Sequence, residues 1–237
     1  MTGLLAAIYD IGCSLGAVFA FMFAENLGRK RSIIYSDSVM IIGALIQAAS
    51  FSYWQLFAAR IVAGIGTGFA TCAVPLLQSE TVPARKRGAL LMLQALTVGL
   101  GIAVATWVCF GTSHVSSSFD WRFPIAFSAF GPLVAVALSP GLVETPRWLC
   151  QKGRIAEARV VVSRLLDRPE DSPEVTGQMN EMLENIEKET KNGEPTWNEV
   201  FSNSTPTRNL QRALLGMAPF IMNQWYVLWY VESYLWQ

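Results

Sequence analysis

Long apolar runs alternate with short polar knots along most of the chain. The runs cover roughly 3–23, 33–53, 57–79, 89–110, 123–142 and, less regularly, 213–236. An apolar stretch of about 18 or more residues with almost no charge is long enough to cross a bilayer core as a helix. Residues 61–79 and 88–113 contain no Asp, Glu, Lys or Arg at all. None of the runs sustains a period of two, and each is about twice the length that a tilted transmembrane strand needs, so helices are expected rather than barrel strands. The first run opens the chain without a charged leader or a small-residue cleavage site, and it therefore reads as a span rather than a signal peptide. The pattern predicts an all-α, polytopic membrane protein with about five to six spanning helices.

Between 143 and 212 the pattern changes to short amphipathic helices. In GRIAEARVVVSRLLDR, Ile155, Ala158, Val162, Leu165 and Leu166 recur every three or four residues with charges between them. EVTGQMNEMLENIEKE repeats this through Val175, Met179, Met182 and Ile186, and Pro169, Pro173 and Pro195 separate the pieces. The expected organisation is five transmembrane helices over 1–142, a polar linker over 143–212, and the start of a second bundle over 213–237.

Charge fixes the orientation. The chain is 52% hydrophobic and only 15% charged, where a soluble domain carries about a quarter charged residues. Its net charge is zero, so no basic field points to a nucleic-acid partner. Of the 18 cations, only Arg60 and Arg122 lie outside the first, third and fifth loops. Basic short loops face the cytoplasm, which places those three loops inside and the start of the chain outside. The four cysteines lack metal-like or redox-like spacing and the lone His114 has no partner in sequence. No metal or cofactor is expected.

The polar knots carry the candidate chemistry. ENLGRKRS places Glu25, a turn-permitting Gly28, and then Arg29, Lys30 and Arg31 between two apolar runs. SETVPARKRG offers Glu80 with Arg85 to Arg87, and VETPRWL offers Glu144 and Arg147. Three loops on one side, each with an acid shortly before a cation, point to an ion-pair network joining helix ends. At a membrane–water boundary water can re-solvate such charges, so a network of this kind suits a gate. In RIVAGIGTGF the setting is an apolar helix with no preceding strand, so the glycines read as close helix packing rather than a dinucleotide fingerprint. Arg60, and Asp10 and Asp37 in the first two runs, are intramembrane ionisable groups and thus functional candidates. Gln94, Asn223 and Gln224 are amides in apolar surroundings, matched to hydroxyl-rich ligands or to bonding between helices.

Together these motifs resemble the sugar porter family of the major facilitator superfamily, above all its fungal branch. The resemblance rests on Glu25-x-x-Gly28-Arg29-Lys30, RIVAGIGTGF, PLLQSETVPARKRGAL, FDWRFPIAF and VETPRWL, in family order. It implies an incomplete major facilitator bundle, covering helices two to six and the start of seven. It implies alternating-access transport of a sugar or polyol, with possible proton symport through Arg60 and Asp10, in a multi-pass protein of the plasma membrane. Gln94, Asn223 and Gln224 stand as the substrate-binding set, although Gln94 is one residue before the position where the family's glutamine is usual. Glu25, Gly28, Arg29, Lys30, Glu80, Arg87, Glu144 and Arg147 stand as the cytoplasmic gate. Two other readings remain open: a truncated, transport-incompetent fragment, and a nontransporting nutrient sensor.

Overall fold

The structure is a computed structural model that describes residues 2–82, 84–115, 117–191 and six positions between 211 and 222. Nine α-helices run in order among the described residues: α1 (Thr2–Leu27), α2 (Arg29–Ala48), α3 (Tyr53–Thr81), α4 (Ala84–Thr112), α5 (Phe119–Phe127), α6 (Phe130–Leu138), α7 (Pro146–Gln151), α8 (Ile155–Leu166) and α9 (Pro173–Lys191). A 3-10 turn, Ser139–Gly141, follows α6. The chain divides into two compact units, 1–182 and 183–237.

Four stretches are long and apolar enough to cross a membrane: Ala7–Leu27, Tyr53–Thr81, Lys86–Thr112 and Phe119–Gly141. The fourth is one span bent in the middle. Pro132 has no N–H to bond the Ser128 carbonyl, and the Ser128 hydroxyl donates back to Ile125 at 2.6 Å, so α5 and α6 part at this point.

The 33–53 run is the one whose composition alone falls short, because α2 carries Arg29, Lys30, Arg31, Ser36, Asp37 and Gln47. Packing settles its path. On α1 and α3, Gly12 abuts Ile61 and Gly64, and Gly16 abuts Ile65, so numbers rise together and the two helices are parallel. On α2 and α3, Gly66 abuts Ser36 and Met40, Gly43 abuts Ala63, and the Gln47 amide donates to the Ala59 carbonyl at 3.4 Å. Here numbers run in opposite senses. Two parallel spans require a return crossing between them, and α2 is that crossing. Its polar side chains are tolerated because they turn inward: Ser32, Ser36, Asp37 and Gln47 are all buried.

Glycine makes the approach possible. A Cβ on Gly64 would lie 2.5 Å from the Tyr9 carbonyl oxygen, and one on Gly43 would lie 2.6 Å from the Ala63 nitrogen. Side-chain-free backbones thus touch along α1, α2 and α3, as close helix pairs in lipid require. By contrast α4 is exposed over almost its whole length, and its glycines at 88, 99, 101 and 111 meet nothing within 4 Å.

After α6 a small polar-shelled cluster forms within the first unit. Leu149 of α7, Val161 and Val162 of α8, and Val175 and Met179 of α9 are buried; of the face that the sequence pattern predicts, Ala158, Val162, Val175 and Met179 lie inside, whereas Ile155 and Leu165 are exposed. Asp167 closes α8 in the left-handed conformation at φ 53°, and Arg168 pairs with Glu174 at 3.1 Å across the connection.

Candidate functional site

The end of the three-helix block at the α1–α2 turn gathers much of the charge that the knots contain. Gly28 separates α1 from α2 at φ 88°, a conformation that favours glycine. The turn leaves the first N–H groups of α2 unpaired within the helix. Glu144, half-buried just before α7, fills that gap: its Oε2 accepts from the Arg29 N–H at 3.0 Å and the Lys30 N–H at 3.2 Å. A carboxylate from 114 residues along the chain therefore caps α2, where the helix dipole favours negative charge. A Cβ on Gly28 would meet the same carboxylate at 2.8 Å.

One residue into α2, the Arg29 guanidinium turns to α3 and pairs with Glu80 at 2.7 Å. Both side chains are only 7% exposed. The pair is thus drier than a boundary network, and its separation needs re-solvation of two charges rather than a simple exchange of partners. Arg29 Nε and Nη1, Glu80 Oε2, Ser32 Oγ and Thr145 Oγ1 are buried without a hydrogen-bond partner among the described residues.

Trp148 adds a second grip. Its indole Nε1 donates to the Glu25 carbonyl at 2.8 Å, satisfying one of the last acceptors of α1. The stretch 144–148 therefore holds both sides of the α1–α2 turn. Glu25 itself has an exposed side chain, and only its backbone enters the cluster. The Lys30 ammonium reaches the Pro140 carbonyl at 3.4 Å. Arg147 is half-buried on α7 and engaged. Arg87 is exposed on α4, its Nε donating to the Val82 carbonyl at 3.2 Å, apart from the Arg29–Glu80 pair.

Replacing Glu144 with alanine removes the acceptor from two backbone donors of α2. We expect a loss of about 1–2 kcal/mol, read as a lower thermal transition of the detergent-solubilised protein. Glu144→Gln, which keeps an acceptor oxygen, should recover part of it. Equal melting of all three proteins would contradict the capping role.

Within the spans, Gln94 is half-buried on α4 and its Oε1 is buried with no partner among the described residues. Asn223 and Gln224 lie outside the described residues. Arg60 is half-buried with an unpartnered Nε, and Asp10 is exposed. They lie at a similar level of the parallel α1 and α3, but no ion pair joins them among the described residues. Beside Asp10, the Tyr9 hydroxyl bonds the Thr67 hydroxyl at 2.7 Å, linking α1 to α3.

Two further residues have roles that the sequence pattern does not expose. Trp148 stands in a short motif read for its charges alone. Arg122 stands at the opposite end of the bundle, where its guanidinium donates to the carbonyls of Ala48 and Ser50 at 3.2 and 2.8 Å. It lies over the Phe51 and Trp121 rings at 4.6 and 4.8 Å. It thus caps the C-terminus of α2 with a cation. Its isolation from the other cations was the available signal.

Comparison with known proteins agrees with this architecture. The family profile described as Sugar (and other) transporter matches residues 1–234. The chain is 39% identical to the MFS-type transporter oryC of Aspergillus oryzae over 93% of its own length and 41% of that protein's. It is 35% identical to the sugar transporter STL1 of Saccharomyces cerevisiae, over 94% of the chain and 39% of that protein. Among solved structures, the proton:xylose symporter XylE bound to 6-bromo-6-deoxy-D-glucose superposes with a TM-score of 0.74 at 21% identity, covering 81% of this chain and 44% of that one. The chain therefore spans about two-fifths of the length of these relatives.

Proposed function

The chain belongs to the sugar transporter family of the major facilitator superfamily, and from that premise we propose that it supplies the first bundle of a carrier for a sugar or related polyol. The observation that carries this reading is the end-to-end family match over residues 1–234. Substrate binds near the bilayer midplane between two rocking halves, as alternating access requires. Gln94 is the substrate contact on this half; its buried oxygen has no partner among the described residues, which supports this role. Asn223 and Gln224 complete the amide set. Arg29, Lys30, Glu80 and Glu144, with Gly28 shaping the turn, form the cytoplasmic latch, with Glu25, Arg87 and Arg147 at its margin. Arg60 and Asp10 are the proton-coupling pair, and the working location is the plasma membrane.

Uptake of radiolabelled hexoses and polyols into proteoliposomes tests the reading, with and without an imposed proton gradient. It should be run for the 237-residue chain and for any longer product of its coding region. We expect substrate binding but little uptake by the chain alone, because a site closed between two halves needs both. Uptake by the longer product, reduced about tenfold by Gln94→Ala through the loss of one well-placed hydrogen bond, is the supporting result. A gradient-independent rate would remove the proton from the scheme. Neither binding nor uptake of any hexose or polyol would remove the sugar.

A further inference from the structure

The span Phe119–Gly141 carries a run of rings that neither the cap at Arg122 nor the proposed carrier uses. Phe119, Phe123, Phe127 and Phe130 follow one another at 4.9, 6.2 and 5.7 Å between centroids, with planes 29°, 22° and 7° apart. A spacing of four residues keeps the first three rings on one side of α5. The last step crosses the break at Ser128, so the strip passes from α5 onto α6. All four rings are between 37% and 60% exposed. Elsewhere in the bundle, Trp54 meets Phe57 edge-on at 82° and Trp107 meets Phe110 at 88°. Near-parallel rings at successive turns are a feature of this span.

The strip also lies at a defined depth. Arg122 holds the start of α5 against the carbonyls of Ala48 and Ser50, which places Phe119 at the membrane boundary opposite the charged cluster. From Phe119 to Phe130 a helix rises about 16 Å, about half of a 30 Å hydrocarbon core. The rings therefore occupy one leaflet. Asp120 stands exposed in the first turn of α5 at that boundary. It lies three and seven residues before Phe123 and Phe127, and so on the same side of the helix. A flexible acyl chain gains nothing from such rings that leucines would not give, because lipid tails are as apolar as leucine. A rigid fused-ring lipid does gain, since neither it nor a two-torsion aromatic side chain gives up much freedom on contact. We propose that this strip is a binding site for a sterol. Its flat apolar nucleus lies along Phe119, Phe123, Phe127 and Phe130, and its hydroxyl donates to the Asp120 carboxylate. Arg122, Phe127 and Leu133 also follow the basic–aromatic–aliphatic order proposed for sterol contact, a pattern that alone decides nothing. The site rests on the bilayer-spanning fold and is independent of the cargo.

The test uses the full chain in phosphatidylcholine vesicles. A diazirine-bearing sterol and a diazirine-bearing phosphatidylcholine serve as separate photolabels, with peptide mapping of the adducts. We expect sterol adducts to concentrate in residues 119–133, and phosphatidylcholine adducts to spread over all the exposed spans. Phe123→Leu with Phe127→Leu should lower sterol labelling of that stretch by about tenfold, because two aromatic contacts are lost while apolarity and helix propensity are kept. The same variant should leave phosphatidylcholine labelling and the thermal transition unchanged. Asp120→Ala should lower sterol labelling by about fivefold through the loss of one hydrogen bond, and inverting the hydroxyl-bearing carbon of the sterol should do the same to the unaltered chain. Sterol adducts spread as evenly as those of phosphatidylcholine overturn the proposal, and so does labelling indifferent to the two leucines or to Asp120. Loss of sterol labelling in a longer product of the coding region means that a protein segment covers the strip, and equally overturns it.

Discussion

Arg29→Ala should destabilise the protein by about 3–5 kcal/mol, the usual consequence of stranding one member of a buried ion pair. For a chain of this size the thermal transition should fall by on the order of 10 °C. The reason lies in how dry the pair is: Arg29 and Glu80 meet at 2.7 Å with each side chain 7% exposed. Removal of the guanidinium leaves the Glu80 carboxylate between α2 and α3 with no cation and little water. The signature is non-additivity. Arg29→Met or Glu80→Leu alone should be costly for the same reason, whereas the two together should recover most of the loss, because well-packed apolar side chains need no partner. The measurement is a double-mutant cycle of thermal unfolding in detergent. If the double variant melts at the sum of the two single losses, the pair is not coupled.

The second large effect concerns α3. At Gly68 an added Cβ would collide with the backbone carbonyl of Cys13. Neither atom belongs to a side chain that can swing aside, so Gly68→Ala must push α1 and α3 apart along their whole contact. We expect a loss of about 3 kcal/mol or more, at the upper end of overpacking effects, seen as poor yield of monodisperse protein and a lower transition. Gly99→Ala is the matched control. Gly99 lies in the interior of α4 and a Cβ there meets nothing within 4 Å, so alanine should be neutral or slightly favourable through helix propensity. Similar behaviour of the two variants would mean that α1 and α3 are not in backbone contact.

Much of this architecture is legible in the hydrophobic pattern because lipid leaves the backbone few options. The charge-free stretch 61–79 falls inside α3, and all of 88–113 but its last residue falls inside α4. The crossing of α2 is less legible. Its interior polarity is matched only by partners on α3, such as the Ala59 carbonyl that takes the Gln47 amide, and no window of sequence contains them. The charged cluster at the α1–α2 turn divides in the same way. Repeated acid-and-cation spacing points to Arg29, Glu80 and Glu144, which do come together. It does not reveal that Glu144 bonds backbone N–H groups rather than a side-chain cation, nor that Arg87 turns away to Val82. Spacing specifies charge; cap geometry depends on which helix end arrives beside it. Gln94 illustrates the remainder, since an amide on an apolar helix reads equally as helix glue or as a ligand contact, and its buried oxygen has no partner among the described residues.

The two-point hold on the α1–α2 turn also sets an order of assembly. Glu144 and Trp148 act on residues 114 to 123 positions earlier in the chain. At ribosomal speeds that separation is on the order of ten seconds. During that interval α1 and α2 are already synthesised, yet the turn between them has neither its cap nor its indole clasp. The hairpin must therefore wait in the bilayer with its tip unfastened, and the last stitch is sewn only when α7 leaves the ribosome.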